Sequence, residues 1–353
     1  MKEYLFLMIL PFISAFAITY LVIPHLIEIA YVREIFDKPN ERSSHTKFTP
    51  FLGGVGILLG VLLTSSFYMG AQPLPKVSYI LIAILLIFCI GLKDDLLVTT
   101  PIKKLLGQLI TAGFVVSAGI RLTNLQGIMG FTEIPFVVSV IISLLVITYI
   151  INAFNLIDGI NGLSAGLGIW FTLFLGIWFF LTNNSVFSIL AFSIVGALNA
   201  FLIFNATPAK IFMGDSGSLL VGLLMAVLLI KFIEAHNVPS EDYRFTNAPL
   251  MALGIFAVPI FDFLRVASER FIFGKSPMSP DRKHIHHLFV DAGYSHNKSS
   301  CCIVGMSILF ALFAYCFQHI GFVIAAFIMI SIFWIIVSYL KTKVILYVEQ
   351  SYN

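Results

Sequence analysis

Apolar residues run almost end to end along the chain, in blocks separated by short polar breaks. The blocks have the length of a bilayer core, about 20 residues per helix. They fall near residues 4–27, 51–69, 78–92, 105–120, 135–154, 163–181, 186–206, 217–235, 248–266, 300–318 and 321–340. They lack the polar face that a helix needs in water, and the period-2 alternation of a membrane barrel is not seen. The pattern predicts an all-α, polytopic integral membrane protein with about eleven transmembrane helices. The first block is too long for the h-region of a signal peptide and no small-x-small cleavage site follows it, so it reads as an uncleaved helix.

Composition agrees: 59% of the 353 residues are hydrophobic and 11% charged, with a mean hydropathy of +0.98. Charge sorts the loops by side. Taken alternately from 28–50, one set, with the C-terminal tail and Arg265, holds every Lys and Arg except Lys2, Lys76, Arg121, Lys231 and Arg244, out of 21 in all. Positive charge marks the cytoplasmic side. The N-terminus is therefore expected outside (periplasmic), with the C-terminus and loops 28–50, 93–104, 155–162, 207–216 and 267–299 in the cytoplasm. The longest of these, 267–299, is too short to fold alone and is expected to dock on the bundle, leaving residues 1–353 as a single membrane-embedded domain. The four cysteines (Cys89, Cys301, Cys302, Cys316) lie in apolar runs without CxxC spacing, which suits packing better than zinc or disulfides.

Only 18 residues are acidic, and carboxylates beside lipid default to a functional hypothesis. In GLKDDL, Asp94 and Asp95 follow a glycine where the third span ends; side by side they repel, and a bound cation relieves this. A solvated helix end is the alternative. In NAFNLIDGINGL, Asn152, Asn155, Asp158 and Asn161 recur every three residues, a polar stripe on one helix face. Asparagines also join helices in bilayers, but four such groups with an acid exceed that need. FMGDSGS places Asp215, Ser216 and Ser218 where they could cap the eighth span and draw an anion to its N-terminus.

All three acidic segments are expected on the cytoplasmic face, together with SPMSPDRKHIHHL. There Asp281, Arg282, Lys283, His284, His286 and His287 combine, and basic and imidazole donors suit phosphate. No cysteine or acid at metal spacing completes a zinc site around the histidines. The first cytoplasmic loop is polar and basic (Arg42, His45, Lys47), a weak signal by itself. Asp262, inside the ninth span, has Arg265 at i+3; an internal ion pair and a functional role are evenly matched.

In their order, DKPN…H, PxxGG, DD, NxxNxxDGxNGL, MGDSGS and SPDRxHIHHL, spanning residues 37 to 288, resemble the polyprenyl-phosphate N-acetylhexosamine-1-phosphate transferases. The HIHH form and the INAFN segment look like the WecA branch, which transfers GlcNAc-1-phosphate from UDP-GlcNAc to undecaprenyl phosphate. One departure is Asn161, where many bacterial members carry a second acid; a model that makes that position an essential base is in doubt here.

The resemblance implies Mg²⁺ as cofactor, with Mn²⁺ as a substitute. It implies Asp215 as the first metal ligand and Asn155 as the second, Asp94 as a base, Asp95 as an organiser and Asp158 as the group shaping the metal site. Arg282, His284, His286 and His287 are expected on the diphosphate, with Asn161, Lys103, His45 and Asp281 as further substrate-binding residues. The implied partners are UDP-GlcNAc, undecaprenyl phosphate and the lipid bilayer of the bacterial inner membrane; a homodimer is allowed, and no nucleic-acid partner is expected. The implied product, undecaprenyl-diphosphate-GlcNAc, would begin a lipid-linked cell-surface glycan such as lipopolysaccharide O-antigen or enterobacterial common antigen. A sibling enzyme using another UDP-N-acetylhexosamine is the alternative within the class. A secondary transporter is the alternative outside it, disfavoured because transporter sites lie near mid-membrane while these polar residues crowd one face. A two-step route with an aspartate nucleophile stays open.

Overall fold

The computed structural model describes residues 2–37, 48–70, 76–128, 130–235, 243–275 and 282–352. The expected apolar blocks fold as helices, and the expected loop 267–299 contributes one more, Ile285–Asp291: α1 (Lys2–Arg33), α2 (Gly53–Met69), α3 (Val77–Leu96), α4 (Pro101–Ser117), α5 (Phe136–Ile157), α6 (Leu163–Leu181), α7 (Ser185–Asn205), α8 (Gly214–Ala235), α9 (Ala248–Ile255), α10 (Ala257–Ile272), α11 (Ile285–Asp291), α12 (His296–Cys316) and α13 (Phe322–Tyr352). Among the described residues, seven are long and apolar enough to cross a membrane: α1, α5, α6, α7, α8, α12 and α13. The pair α9 and α10 makes an eighth if counted as one bent span. The other expected spans are shorter or more polar: α2 and α4 have 17 residues each, and α3 ends in Lys93, Asp94 and Asp95.

The ninth block departs from expectation. It breaks between α9 and α10 with a bend of 74°. Pro259 accounts for the place: it lacks an N–H, and its ring collides with the carbonyl four residues back, at Ile255, where α9 stops.

At the centre stands α8, apolar on every side and buried along nearly its whole length, as a helix without a polar face must be. It packs on α2, α3, α5 and α6. Small residues let these backbones close in, a device suited to lipid, where helices gain little from simple apolar burial. A side chain at Gly91 of α3 would run into the backbone of Asp215 and Ser216, and one at Gly54 of α2 would run into Gly217. The start of α8 is thereby pressed against the polar end of α3.

Two short antiparallel hairpins decorate the bundle, β1 (Phe36–Asp37) with β2 (Thr49–Pro50), and β3 (Asn124–Ile128) with β4 (Phe131–Glu133). The second is tied to the far end of α8, where Glu234 accepts from Thr123 N at 2.8 Å and from Thr123 Oγ1 at 2.5 Å. The polar ends of α3, α5 and α10 lie at the opposite end of the bundle, with the beginnings of α4, α8 and α12.

Candidate active site

Asp95 fastens α3 to α8. Its carboxylate accepts from the backbone N–H of Asp215 (2.7 Å) and of Ser216 (2.9 Å), the unpaired donors of a helix start. The cap expected from within the FMGDSGS segment thus comes from another helix. Gly214 makes the turn possible: its φ is +71°, and a Cβ there would strike the Phe51 carbonyl and the Asp95 carboxylate.

The freed side chains of Asp215 and Ser218 face α5. Asn155 Nδ2 donates to Asp215 Oδ1 (2.6 Å) and Ser218 Oγ (2.7 Å). Across from them, Lys104 Nζ donates to Asp215 Oδ2 (2.6 Å), Asp94 Oδ2 (3.0 Å) and Asn155 Oδ1 (3.4 Å). Asp94 is oriented by the Thr99 backbone N–H (2.7 Å) and hydroxyl (2.6 Å). Three acceptor oxygens from α3, α5 and α8 therefore converge on the Lys104 ammonium. One turn back on α5, Asn152 and Gln108 of α4 exchange amide hydrogen bonds (2.6 and 3.2 Å).

After α5 the chain unwinds. Asp158 accepts from Ser164 Oγ (2.6 Å), and burial, then the charges of Asp215 and Asp95, push its carboxyl up to about 7. Asn161 donates to Thr207 Oγ1 (3.2 Å), and its carbonyl accepts from Ser300 of α12 (2.9 Å). A side chain at Gly159 would overlap the His286 imidazole. The ring lies in the space that the missing Cβ leaves. His286 is buried with neither ring nitrogen hydrogen-bonded. Burial, followed by His287 and His284, holds it well below the ordinary histidine range. His284 and His286 lie nearly parallel, their ring centroids 5.9 Å apart.

Two cavities meet here. The first, about 520 Å³, has a polar floor of Asp94, Asp95, Asn155, Asp158 and Asp215, aromatic walls from Phe36, Phe51 and Phe212, and His287 and His296 at its side. The second, about 610 Å³, runs from Lys104, Arg270, His284 and His286 into an apolar stretch of Leu105, Leu109, Leu145 and Phe263. Asp94, Asn155, Gly159 and His287 line both.

The expected residues are thus largely brought together, with exceptions. Lys103 is exposed and lines neither cavity; its neighbour Lys104 is the lysine at the acids. Arg282 lines neither cavity and pairs with Asp291 at 3.4 Å, whereas buried Arg270 lines the second. His45 and Asp281 fall outside the described residues. His296 of α12 and Arg270 were not anticipated; a histidine and an arginine beside the expected cytoplasmic ends of spans were the available signals.

Acids, amides and histidines thus gather at one end of a helical bundle, where a polar and an apolar cavity meet. The model for glycosyl transferase family 4 matches residues 77–233. The chain is similar to the undecaprenyl-phosphate alpha-N-acetylglucosaminyl 1-phosphate transferases of Yersinia pestis (29% identical over 297 residues, 82% of this chain and 78% of the relative) and Escherichia coli K12 (29% over 307 residues, 85% and 81%). It is also similar to the decaprenyl-phosphate N-acetylglucosaminephosphotransferase of Mycolicibacterium smegmatis, 31% identical over 286 residues, 74% of this chain and 70% of the relative. The chain belongs to glycosyl transferase family 4.

Proposed function

We propose that the protein transfers GlcNAc-1-phosphate from UDP-GlcNAc to undecaprenyl phosphate, giving undecaprenyl-diphosphate-GlcNAc and UMP. The observation that carries this reading is the shared wall of the two cavities. A nucleotide sugar and a lipid phosphate come from different media, and here a polar cavity with aromatic walls and an apolar cavity with a basic mouth meet at Asp94, Asn155, Gly159 and His287. The names of the relatives supply the sugar and the lipid.

In this reading the donor lies in the first cavity and the lipid phosphate enters the second beside Lys104 and Arg270. A lipid phosphate oxygen bonds to the β-phosphorus while the bond to UMP breaks, UMP leaving with the electron pair. The acceptor needs little help from a base: a phosphomonoester has a second pKa near 6, judged from phosphoserine, so it is mostly dianionic near neutral pH. Positioning and charge neutralisation then dominate, as in phosphoryl transfer generally. Lys104 serves both by holding Asp94 and Asp215 in register. Asp95 acts at one remove, through the turn that presents Asp215.

The donor set suits Mg²⁺. Among the described residues no three His, Cys, Asp or Glu side chains gather as a metal site. Mg²⁺, however, usually takes one or two carboxylates plus substrate phosphates, and Asp215, Asn155 and Asp94 already converge on the Lys104 ammonium. Held by Asp215 and Asn155, Mg²⁺ would supply charge neutralisation to the diphosphate oxygens and the departing UMP.

We place the protein in the bacterial inner membrane with about eleven spans, on the strength of its apolar blocks, and the site facing the cytoplasm, on the strength of the Lys and Arg distribution. Its product would begin a lipid-linked cell-surface glycan. The test is purified protein with undecaprenyl phosphate, Mg²⁺ and a panel of UDP-sugars, scoring UMP and lipid product, with and without EDTA. UMP with UDP-GlcNAc alone, lost on chelation, is the expected result. No UMP with any sugar overturns the reading.

A further inference from the structure

Asp262 and Arg265 are buried in α10, 1% and 2% exposed, and the mechanism above uses neither. They do form the ion pair that the sequence allows, with Arg265 Nη2 at 2.8 Å from Asp262 Oδ1. The pair does more than neutralise itself. Asp262 Oδ1 also accepts from the backbone N–H of Ile285 (3.0 Å), and Oδ2 lies 2.8 Å from His284 Nδ1. Arg265 meanwhile donates to the Lys283 carbonyl (2.6 Å) and to Glu269 (3.1 Å), which Lys341 of α13 holds from outside at 2.9 Å. Two side chains of α10 thus clamp three consecutive residues, Lys283 to Ile285, at the entrance to α11.

The chemistry fixes more than place. A carboxylate only accepts, so the hydrogen bond requires His284 to carry its proton on Nδ1. The other nitrogen, Nε2, is buried without a hydrogen-bond partner in a ring that lines the apolar cavity. A buried polar atom in that state is costly unless a ligand completes it.

We propose that Asp262, braced by Arg265, is a positioning residue that sets the orientation and tautomer of His284, leaving Nε2 unprotonated so that it accepts a hydrogen bond from the hydroxyl of the lipid acceptor's monoanionic phosphate. The proposal rests on the transferase reading for the identity of the acceptor. It does not rest on it for the geometry. A carboxylate behind a metal-bound histidine commonly matters 10- to 100-fold, and the same scale is expected for Asp262 behind His284.

The test is a cycle of Asp262→Asn and His284→Gln in the full-length enzyme, read by transfer kinetics and by ¹⁵N NMR of labelled histidines, with the His284 signal assigned from its absence in His284→Gln. Asp262→Asn should move the His284 proton from Nδ1 to Nε2. It should lower kcat/KM for undecaprenyl phosphate about 10- to 100-fold and leave KM for UDP-GlcNAc within about twofold. In the His284→Gln background the same change should cost less than about twofold more, because contacting residues are not additive. An unmoved proton, or an equal loss in both backgrounds, overturns the proposal. If Asp262→Asn fails to fold because Arg265 is left uncompensated, Asp262→Asn with Arg265→Gln replaces it. If the wild type releases no UMP from any donor, the transferase reading fails while the NMR result still decides the role of Asp262.

Discussion

Asp95 on α3 accepts the backbone N–H of Asp215 on α8 at 2.7 Å, so one acid of the site is aimed by another. Loss of an N-cap side chain costs about 0.5–2 kcal/mol. Asp95→Ala should therefore lower stability by about 1 kcal/mol, measured by thermal or denaturant unfolding in detergent. Its activity should fall at least tenfold, about the step that 1.4 kcal/mol represents, because Asp215 loses its placement. An unaltered kcat would show that Asp215 keeps its aim without the cap.

Adjacent lysines should behave differently. Lys104 contacts Asp94, Asp215 and Asn155, and Lys103 is exposed. Removing a preorganised charged donor from an active site costs about 100- to 1,000-fold. Lys104→Met should lose activity on that scale, and Lys103→Met should stay within about twofold, as surface changes generally do. Equal kinetics for the two variants would refute the assignment.

Gly159 and His286 occupy one space. Adding a methyl in a packed interior costs about 1–3 kcal/mol, so Gly159→Ala should lower both the unfolding midpoint and kcat. Removing the ring relieves the collision. Gly159→Ala combined with His286→Ala should be no less stable than His286→Ala alone, and a further drop in the double variant would argue against the overlap.

Asp158 offers a pH signature. Its folded pKa, about 7, lies above its ordinary value of 3.8. The folded state therefore holds a proton that the unfolded chain releases between about pH 4 and 7, and this stabilisation is full below that window and lost as the pH rises through it. Asp158→Asn cannot titrate. Its stability relative to wild type should rise between about pH 4 and 7 and level off above, followed by thermal unfolding across that range. A difference independent of pH would place the Asp158 carboxyl outside the window.

Much of this site could be read from the sequence because its signals are local. The three-residue period of Asn152, Asn155, Asp158 and Asn161 is visible within one segment, although only Asn152 and Asn155 lie on α5 while Asp158 and Asn161 follow its end, and the apolar blocks mark helices wherever they are long. Distinguishing Lys104 from Lys103 was beyond such reasoning. Both follow Asp94 closely, and only the turn at Thr99 and the packing of α4 on α3 decide which one points inward. Arg270 displaced Arg282 for a similar reason: the register of α10 against α11 is set by Asp262 and Arg265, across a gap in sequence. The break before α10 was available in principle, since Pro259 disables the carbonyl of Ile255, yet the hydropathy runs smoothly over it.

The wall between the cavities gives the molecule an unusual division of labour. Gly159 lines both cavities, and the residues that shape the two sides are otherwise mostly different: Phe36, Phe51 and Phe212 on one, Leu105, Leu109 and Phe263 on the other. For a reaction carried out at such a wall, neither reactant has to leave its own solvent. Choice of head group and choice of tail can then evolve separately, each by substitutions that the other side never meets.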